Sequence, residues 1–334
     1  MKIVVSLIPV FLFLGLLLFF DSFRLVNRWV LITCLLWGVV AASLSLVGNT
    51  LLSNFFHLSF DTLSRYVAPI TEEVLKMVIL IFLIQRHRIG FAIDAAIYGF
   101  AIGSGFAFTE NLIYLLQLAP EQTTLWFWIT RGVGTAVMHA GATAIAGVIL
   151  VNKLTDSRNL FQPFLLAIVI TYLIHTLYNT FLISPHFSAL VVIILVPAVL
   201  VIVFRQGEQS LKRWLDEGMD AEVKLLLMIK HGRFANTRAG NYLMSIKDHF
   251  PKEVVVDIYC FMALYLELSV KAKSLLLLKE NDLPLPVDPN IMDKLVELDQ
   301  MRNRIGKSGV LALRPVLRMN RSDLWALSTL KLNL

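Results

Sequence analysis

Two adjacent carboxylates, Glu72 and Glu73, and a lysine, Lys76, stand at the start of an apolar run, T-E-E-V-L-K followed by MVILIFLI. A charged side chain in hydrocarbon is costly, so such residues face a protein interior or a wet cavity and usually mark function. On a helix, Glu72 and Lys76 are i,i+4 and Glu73 and Lys76 are i,i+3, so both carboxylates can approach one ammonium. One lysine cannot neutralise two acids. A second cation is required, or one carboxyl must hold a proton, and a glutamate in that situation suits general acid or base work.

Further polar residues interrupt the apolar segments downstream: Asp94, Glu110, Asn111, Arg131, His139, His175 and Asn179. Glu110, in F-A-F-T-E-N, has no neutralising residue four positions away. It is either an ion-pair partner for Arg131 on the next helix or a direct participant in chemistry. His139 begins H-A-G-A-T and His175 begins H-T-L-Y-N, so each has a polar residue, Thr143 or Asn179, on its own helix face. Neutral histidine can orient a water, take its proton or ligate a metal. An amide such as Asn179 can donate to a developing oxyanion. Gly99, Gly103 and Gly105 read as packing residues that let another helix approach closely.

The elements that must position these groups follow from composition. The 334-residue chain is 57% hydrophobic, with a mean hydropathy of +0.71, above the ordinary soluble range. Residues 1–204 hold only ten Lys and Arg and eight Asp and Glu, so the charge is concentrated in residues 205–334. This predicts an all-α, polytopic helical membrane domain over 1–204 and a soluble, mostly helical cytoplasmic tail over 205–334. About seven spans of sufficient length are expected at 3–20, 29–52, 67–85, 91–118, 125–151, 163–183 and 187–204. The first reads as a retained anchor, because no small-x-small cleavage site follows it. In the tail, 207–231 and 251–281 have helical spacing, Pro284, Pro286 and Pro289 punctuate it, and Lys230-His231-Gly232-Arg233 reads as a solvated helix end. The tail's basic surplus is scattered among acids, so it does not read as a nucleic-acid site; its partner is unspecified. Cys34 and Cys260 lie in different parts, which argues against an internal disulfide.

Orientation follows from the short loops. Arg24, Arg28, Arg86, Arg88, Lys153 and Arg158, with Arg205 opening the tail, mark the cytoplasmic side. The opposite loops carry only Lys2 and Arg65, and the loop around Glu121 has no base. The N-terminus is therefore expected outside and the tail inside. At ~1.5 Å per residue, Glu72 and Glu73 lie ~8 Å from the outer ends, Glu110 and Arg131 ~10 Å, His175 ~13 Å and His139 ~20 Å. A single polar cavity in the outer half of the bilayer is the expectation.

These motifs resemble the PrsW family of intramembrane proteases, related to the CAAX prenyl endopeptidases and bacteriocin-processing enzymes. The resemblance rests on Glu72-Glu73-x-x-Lys76, Phe106-x-x-x-Glu110 with Asn111, His139, and His175-x-x-x-Asn179, and covers about 65–185. It implies a bacterial plasma-membrane endopeptidase that cuts a single-span, membrane-anchored substrate, such as an anti-sigma factor, on the extracytoplasmic side. Carried over, Glu72 and Glu73 include the base that activates water. His139 and His175 position that water or shuttle its proton, Asn179 holds the oxyanion, and Glu110 takes the second acidic position. Lys76 and Arg131 support them. Zinc suits His and Glu donors, but no H-E-x-x-H is present, and a metal-free glutamate mechanism, with no cofactor, uses the same residue types and is the expectation. A proton-coupled transporter would also use intramembrane Glu, His and Arg, but no inverted repeat is seen. A scaffold acting through its tail would leave the same residues replaceable.

Overall fold

The computed structural model describes residues 2–118, 123–156, 159–180, 182–286 and 288–330, with the backbone alone for Lys2, Thr155 and Asp156. Glu121, Arg158 and the side chain of Lys2, used above for orientation, lie outside the described residues. Helices account for the regular structure, with no strand among the described residues. The chain divides into two compact units, Met1–Glu208 and Gln209–Leu334.

The first unit contains α1 (Lys2–Phe19), α2 (Arg28–Phe56), a single turn α3 (Phe60–Thr62), α4 (Ala68–Gln85), α5 (Ala92–Gln117), a short α6 (Leu125–Trp128), α7 (Ala136–Asp156) and α8 (Phe161–Thr180). The helix α9 (Pro185–Lys230) begins in this unit, and the division falls within it. Arg28–Phe56, Ala92–Gln117, Leu125–Leu154, Phe161–Thr180 and Pro185–Lys230 are long and apolar enough to cross a membrane. Pro9–Phe19 is a shorter apolar helix, and α4 is interrupted by Glu72, Glu73 and Lys76.

Helix α5 is the hub. Every residue from Ile93 to Ala107 is buried, as expected of a helix without a polar face. It approaches its neighbours through glycine. A Cβ on Gly105 would lie 2.1 Å from the Leu35 carbonyl oxygen of α2, and one on Gly38 would lie 2.2 Å from that of Ile102. On the α7 side, a Cβ on Gly103 would lie 2.4 Å from the carbonyl oxygen of His139. The glycines are thus packing residues, and one of them sets how close His139 comes.

The helix starts are chemically defined. Asn27 caps α2 by accepting from the Trp29 and Val30 amides. Asp94 accepts from the Gly90 and Phe91 amides at 2.9 and 2.8 Å. It serves the N-terminus of α5 and does not join the other polar residues. Asn111 donates to the Ser6 carbonyl at 2.9 Å, tying α1 to α5. Two turns depart from α-helical bonding: Leu63–Val67, ahead of α4, and Ile129–Thr135, ahead of α7, are π-helical. Such i→i+5 turns often accompany functional sites.

The second unit contains the rest of α9 with α10 (Arg238–Ile246), α11 (Lys252–Glu280), α12 (Ile291–Leu313) and α13 (Arg321–Leu330). Helix α9 ends at Lys230; His231, Gly232 and Arg233 are exposed, and Gly232 takes φ +66°, so this patch is a solvated helix end. The unit's core encloses an ion cluster. Lys273 is fully buried and contacts Glu222 Oε1 at 2.5 Å and Asp323 Oδ1 at 3.3 Å. Burial pushes the Asp323 carboxyl above its ordinary range.

Two outcomes follow from this packing. Gly105→Leu should lower the stability of the purified protein by at least about 1–3 kcal/mol through overpacking. Gly48→Leu, with nothing within 4 Å of its Cβ, should be near neutral in the same unfolding titration. Lys273→Met leaves two buried acids without their cation and should cost about 3–5 kcal/mol. An unchanged denaturation midpoint for full-length Lys273→Met would show that the cluster contributes nothing.

Candidate active site

The π-helical turn Leu63–Val67 leads into α4, whose residues Glu73 and Lys76 are both fully buried. Glu73 Oε1 lies 2.6 Å from Lys76 Nζ. Glu72, the other carboxylate expected to reach that ammonium, turns away. Its Oε2 lies 3.7 Å from His175 Nε2 on α8 and has no hydrogen-bond partner among the described residues. His175 Nδ1 is 2.8 Å from Glu73 Oε1. An ionised carboxylate only accepts, so His175 donates from Nδ1 and, as a neutral imidazole, keeps a lone pair on Nε2, facing Glu72.

His139 is built into the same cluster from α7. Its ring centroid is 4.7 Å from that of His175, with the planes nearly perpendicular. This is closer than the ~7 Å depth difference expected from counting residues at a fixed rise. That count treats each span as a straight α-helix along the bilayer normal, whereas Ile129–Thr135 is π-helical and membrane helices tilt. Nδ1 of His139 is 3.2 Å from Lys76 Nζ, and Nε2 is 3.0 Å from Glu110 Oε2. Lys76 as an ammonium has only donors, so His139 accepts at Nδ1 and donates from Nε2 to Glu110. The hydroxyl of Thr143 donates to the His139 backbone carbonyl at 2.9 Å instead of meeting the ring.

Glu110 has two partners. Its Oε1 pairs with Arg131 at 2.5 Å, while Oε2 takes the His139 bond. The ion pair expected across two helices is present, and it lies within the cluster. An unbroken chain runs from His175 through Glu73, Lys76, His139 and Glu110 to Arg131. Three carboxylates meet two permanent cations here, and the unmatched one is Glu72.

Sequence reading gave no role to two aromatic rings. Phe106 places its ring 4.8 Å from Lys76 Nζ, so the ammonium is met by Glu73, His139 and a π face. Tyr114 stacks on Arg131, with the guanidinium carbon 3.6 Å from the ring centroid. The available signal was spacing: Tyr114 is four residues after Glu110, on the same helix face. Asn179 also lies near the site. Its amide nitrogen donates to the backbone carbonyl of Ser64 at 2.9 Å.

A cavity of about 400 Å³ opens beside the cluster. Glu72, Glu110, Arg131, His139, His175 and Asn179 line it, with small and polar residues of α2 opposite, including Ala42, Ser45 and Asn49. Glu73 and Lys76 are not among its lining residues. Glu72, His139 and His175 also offer one ligand atom each, all within 4.8 Å of one another. A carboxylate and two imidazoles are the donor types of catalytic zinc sites. Glu72 Oε2 and His175 Nε2 fit a cation directly. His139 would be the third donor, as a neutral imidazole in the tautomer that leaves a ring-nitrogen lone pair toward the site.

A family model described as PrsW family intramembrane metalloprotease matches residues 26–204, which contain every residue of this cluster. No curated protein and no solved structure matches the chain. The match covers more than half of the sequence and, with the apolar helices, makes this a membrane protein: the chain belongs to the PrsW family of intramembrane proteases.

Proposed function

We propose that the protein hydrolyses a peptide bond in a single-span, membrane-anchored substrate, such as an anti-sigma factor, using water activated at Glu72 and His175. The observation that supports this most is the pair of unengaged basic atoms, Glu72 Oε2 and His175 Nε2, 3.7 Å apart at the cavity. A water between them is within hydrogen-bond reach of both. Its oxygen attacks the scissile carbonyl carbon while its proton passes to Glu72 or His175. Collapse of the tetrahedral intermediate breaks the C–N bond, and the same proton goes to the departing amine.

The other residues prepare this step. Glu73 holds His175 as the Nδ1–H tautomer, the orienting role of a third group behind a base. Lys76 balances the charge of Glu73 and fixes His139 from the other side. Arg131 is the cation that lines the cavity, and its Nε has no partner among the described residues. It is suited to stabilise the developing oxyanion. A divalent metal such as zinc would be held by Glu72, His175 and His139, where it would polarise the carbonyl and make bound water more acidic. The loop charges support a reaction in the outer half of the bilayer, with the N-terminus outside and the tail in the cytoplasm, and the family resemblance supports a bacterial plasma membrane.

Purified protein with single-span substrates tests this reading. Glu72→Gln and His175→Ala should abolish cleavage and leave the protein folded and inserted. Glu73→Gln should lose stability as well, because it strips a fully buried lysine of its counter-ion. Full cleavage by Glu72→Gln would overturn the assignment of the base. Metal is tested separately: cleavage lost on stripping with a chelator and restored by zinc would make Glu72, His175 and His139 ligands and move water activation to the metal. Undiminished activity in metal-free protein would assign water activation to the carboxylate and imidazole alone.

A further inference from the structure

Asn179 is placed where it can serve the backbone of α4. The Ala68 amide donates five residues back, to the Leu63 carbonyl. Continuing that pattern, the Ser64 carbonyl would be met by the amide of residue 69. Residue 69 is proline, which has no N–H. The Ser64 oxygen instead accepts from Asn179 Nδ2 at 2.9 Å. A helix carbonyl that loses its backbone donor must find another partner. The amide of Asn179 therefore stands in for the hydrogen that Pro69 lacks.

A matching contact lies one residue earlier. Tyr178 donates its hydroxyl to the Thr130 carbonyl at 3.1 Å, inside the other π-helical turn. A Cβ on Gly134 would lie 2.6 Å from that hydroxyl, so the glycine admits it. Successive residues of α8 thus engage both irregular turns. His175 stands one turn before Asn179 on the same face. The helix that presents His175 also holds the turn that sets the phase of Glu72 and Glu73.

We propose that Asn179 is a positioning residue: by capping the Ser64 carbonyl left open by Pro69, it locks α4 against α8 and fixes Glu72 relative to His175. Its influence on catalysis rests on the assignment of Glu72 and His175 given above. The bond to the backbone does not.

The test compares full-length protein carrying Asn179→Ala, Pro69→Ala or both. Steady-state cleavage of a single-span substrate and thermal unfolding in detergent are the two readouts. Asn179→Ala should lower kcat by roughly 100-fold, the scale expected of a small misplacement, with KM changed much less. Pro69→Ala alone should behave as the parent. The double variant should regain most of the lost kcat, because the backbone amide restored at position 69 returns a donor to Ser64. A loss that persists in the double variant would overturn the proposal, since a backbone N–H at 69 cannot replace a donor to the reacting oxygen. Full kcat in Asn179→Ala would overturn it too. If no form cleaves, the parent included, the functional reading fails and unfolding still decides. A lower midpoint in Asn179→Ala that Pro69→Ala restores supports the cap, and additive or absent effects refute it.

Discussion

Three carboxylates and two permanent cations meet at one site, with Glu73 and Lys76 fully buried and Glu72, Glu110 and Arg131 partly so, and their pairing is the constraint on everything around them. A buried charge without a partner is far more costly than one at a surface. Lys76 is given to Glu73 and Arg131 to Glu110. Each pair also holds a histidine, His175 on Glu73 and His139 on Glu110. The pairs are thus both neutralisers and positioning devices. What they leave over is one carboxylate, Glu72, set against the free nitrogen of His175 at a cavity. A water satisfies that acceptor-rich pair by donating a hydrogen bond to each atom, and a cation would satisfy it with charge as well.

Bringing these groups into contact requires helices closer than ordinary side chains allow. Lipid supplies no hydrophobic force between membrane helices, so association depends on close packing and polar contacts. Helix α5 meets α2 through Gly38 and Gly105 and meets α7 through Gly99 and Gly103. Gly103 faces the backbone of His139 itself. Packing and chemistry are therefore coupled at one point. A side chain added there moves α7 before it touches the imidazole, and the chain from Lys76 to Glu110 runs through that ring.

Much of this was legible in the sequence, for identifiable reasons. Apolar length and charge density located the helices, and intramembrane polarity selected Glu72, Glu73, Lys76, Glu110, Arg131, His139 and His175, all of which converge. The partner of Lys76 was not legible, because Glu72 and Glu73 both stand at helical spacing from it. The choice is made by His175, 102 residues away from Glu73. Asp94 was grouped with the intramembrane acids, yet it caps α5; Arg88-Ile89-Gly90, which ends the preceding segment, places it in a first turn, where acids are favoured. The π-helical turns escaped as well. Periodicity assumes i→i+4 bonding, and only Pro69 and the pair Gly132 and Gly134 hint at a departure.

Those departures matter because the membrane removes the usual remedy for an irregular backbone. In water a freed carbonyl is solvated; in hydrocarbon it must find a donor within the protein. Each π-helical turn therefore binds its helix to whichever neighbour supplies that donor, and here one neighbour, α8, supplies both through Tyr178 and Asn179. The substrate obeys the same rule. A peptide inside a helix has its N–H and C=O committed to that helix, so the scissile bond can be attacked only after local unwinding. Its freed groups then need partners where no bulk water is present. The cavity wall on α2 carries the amide of Asn49, whose oxygen accepts from Thr71 and whose nitrogen is a further donor. An enzyme that stabilises its own broken turns with side-chain donors thus has the kind of surface that can hold a broken turn in its substrate.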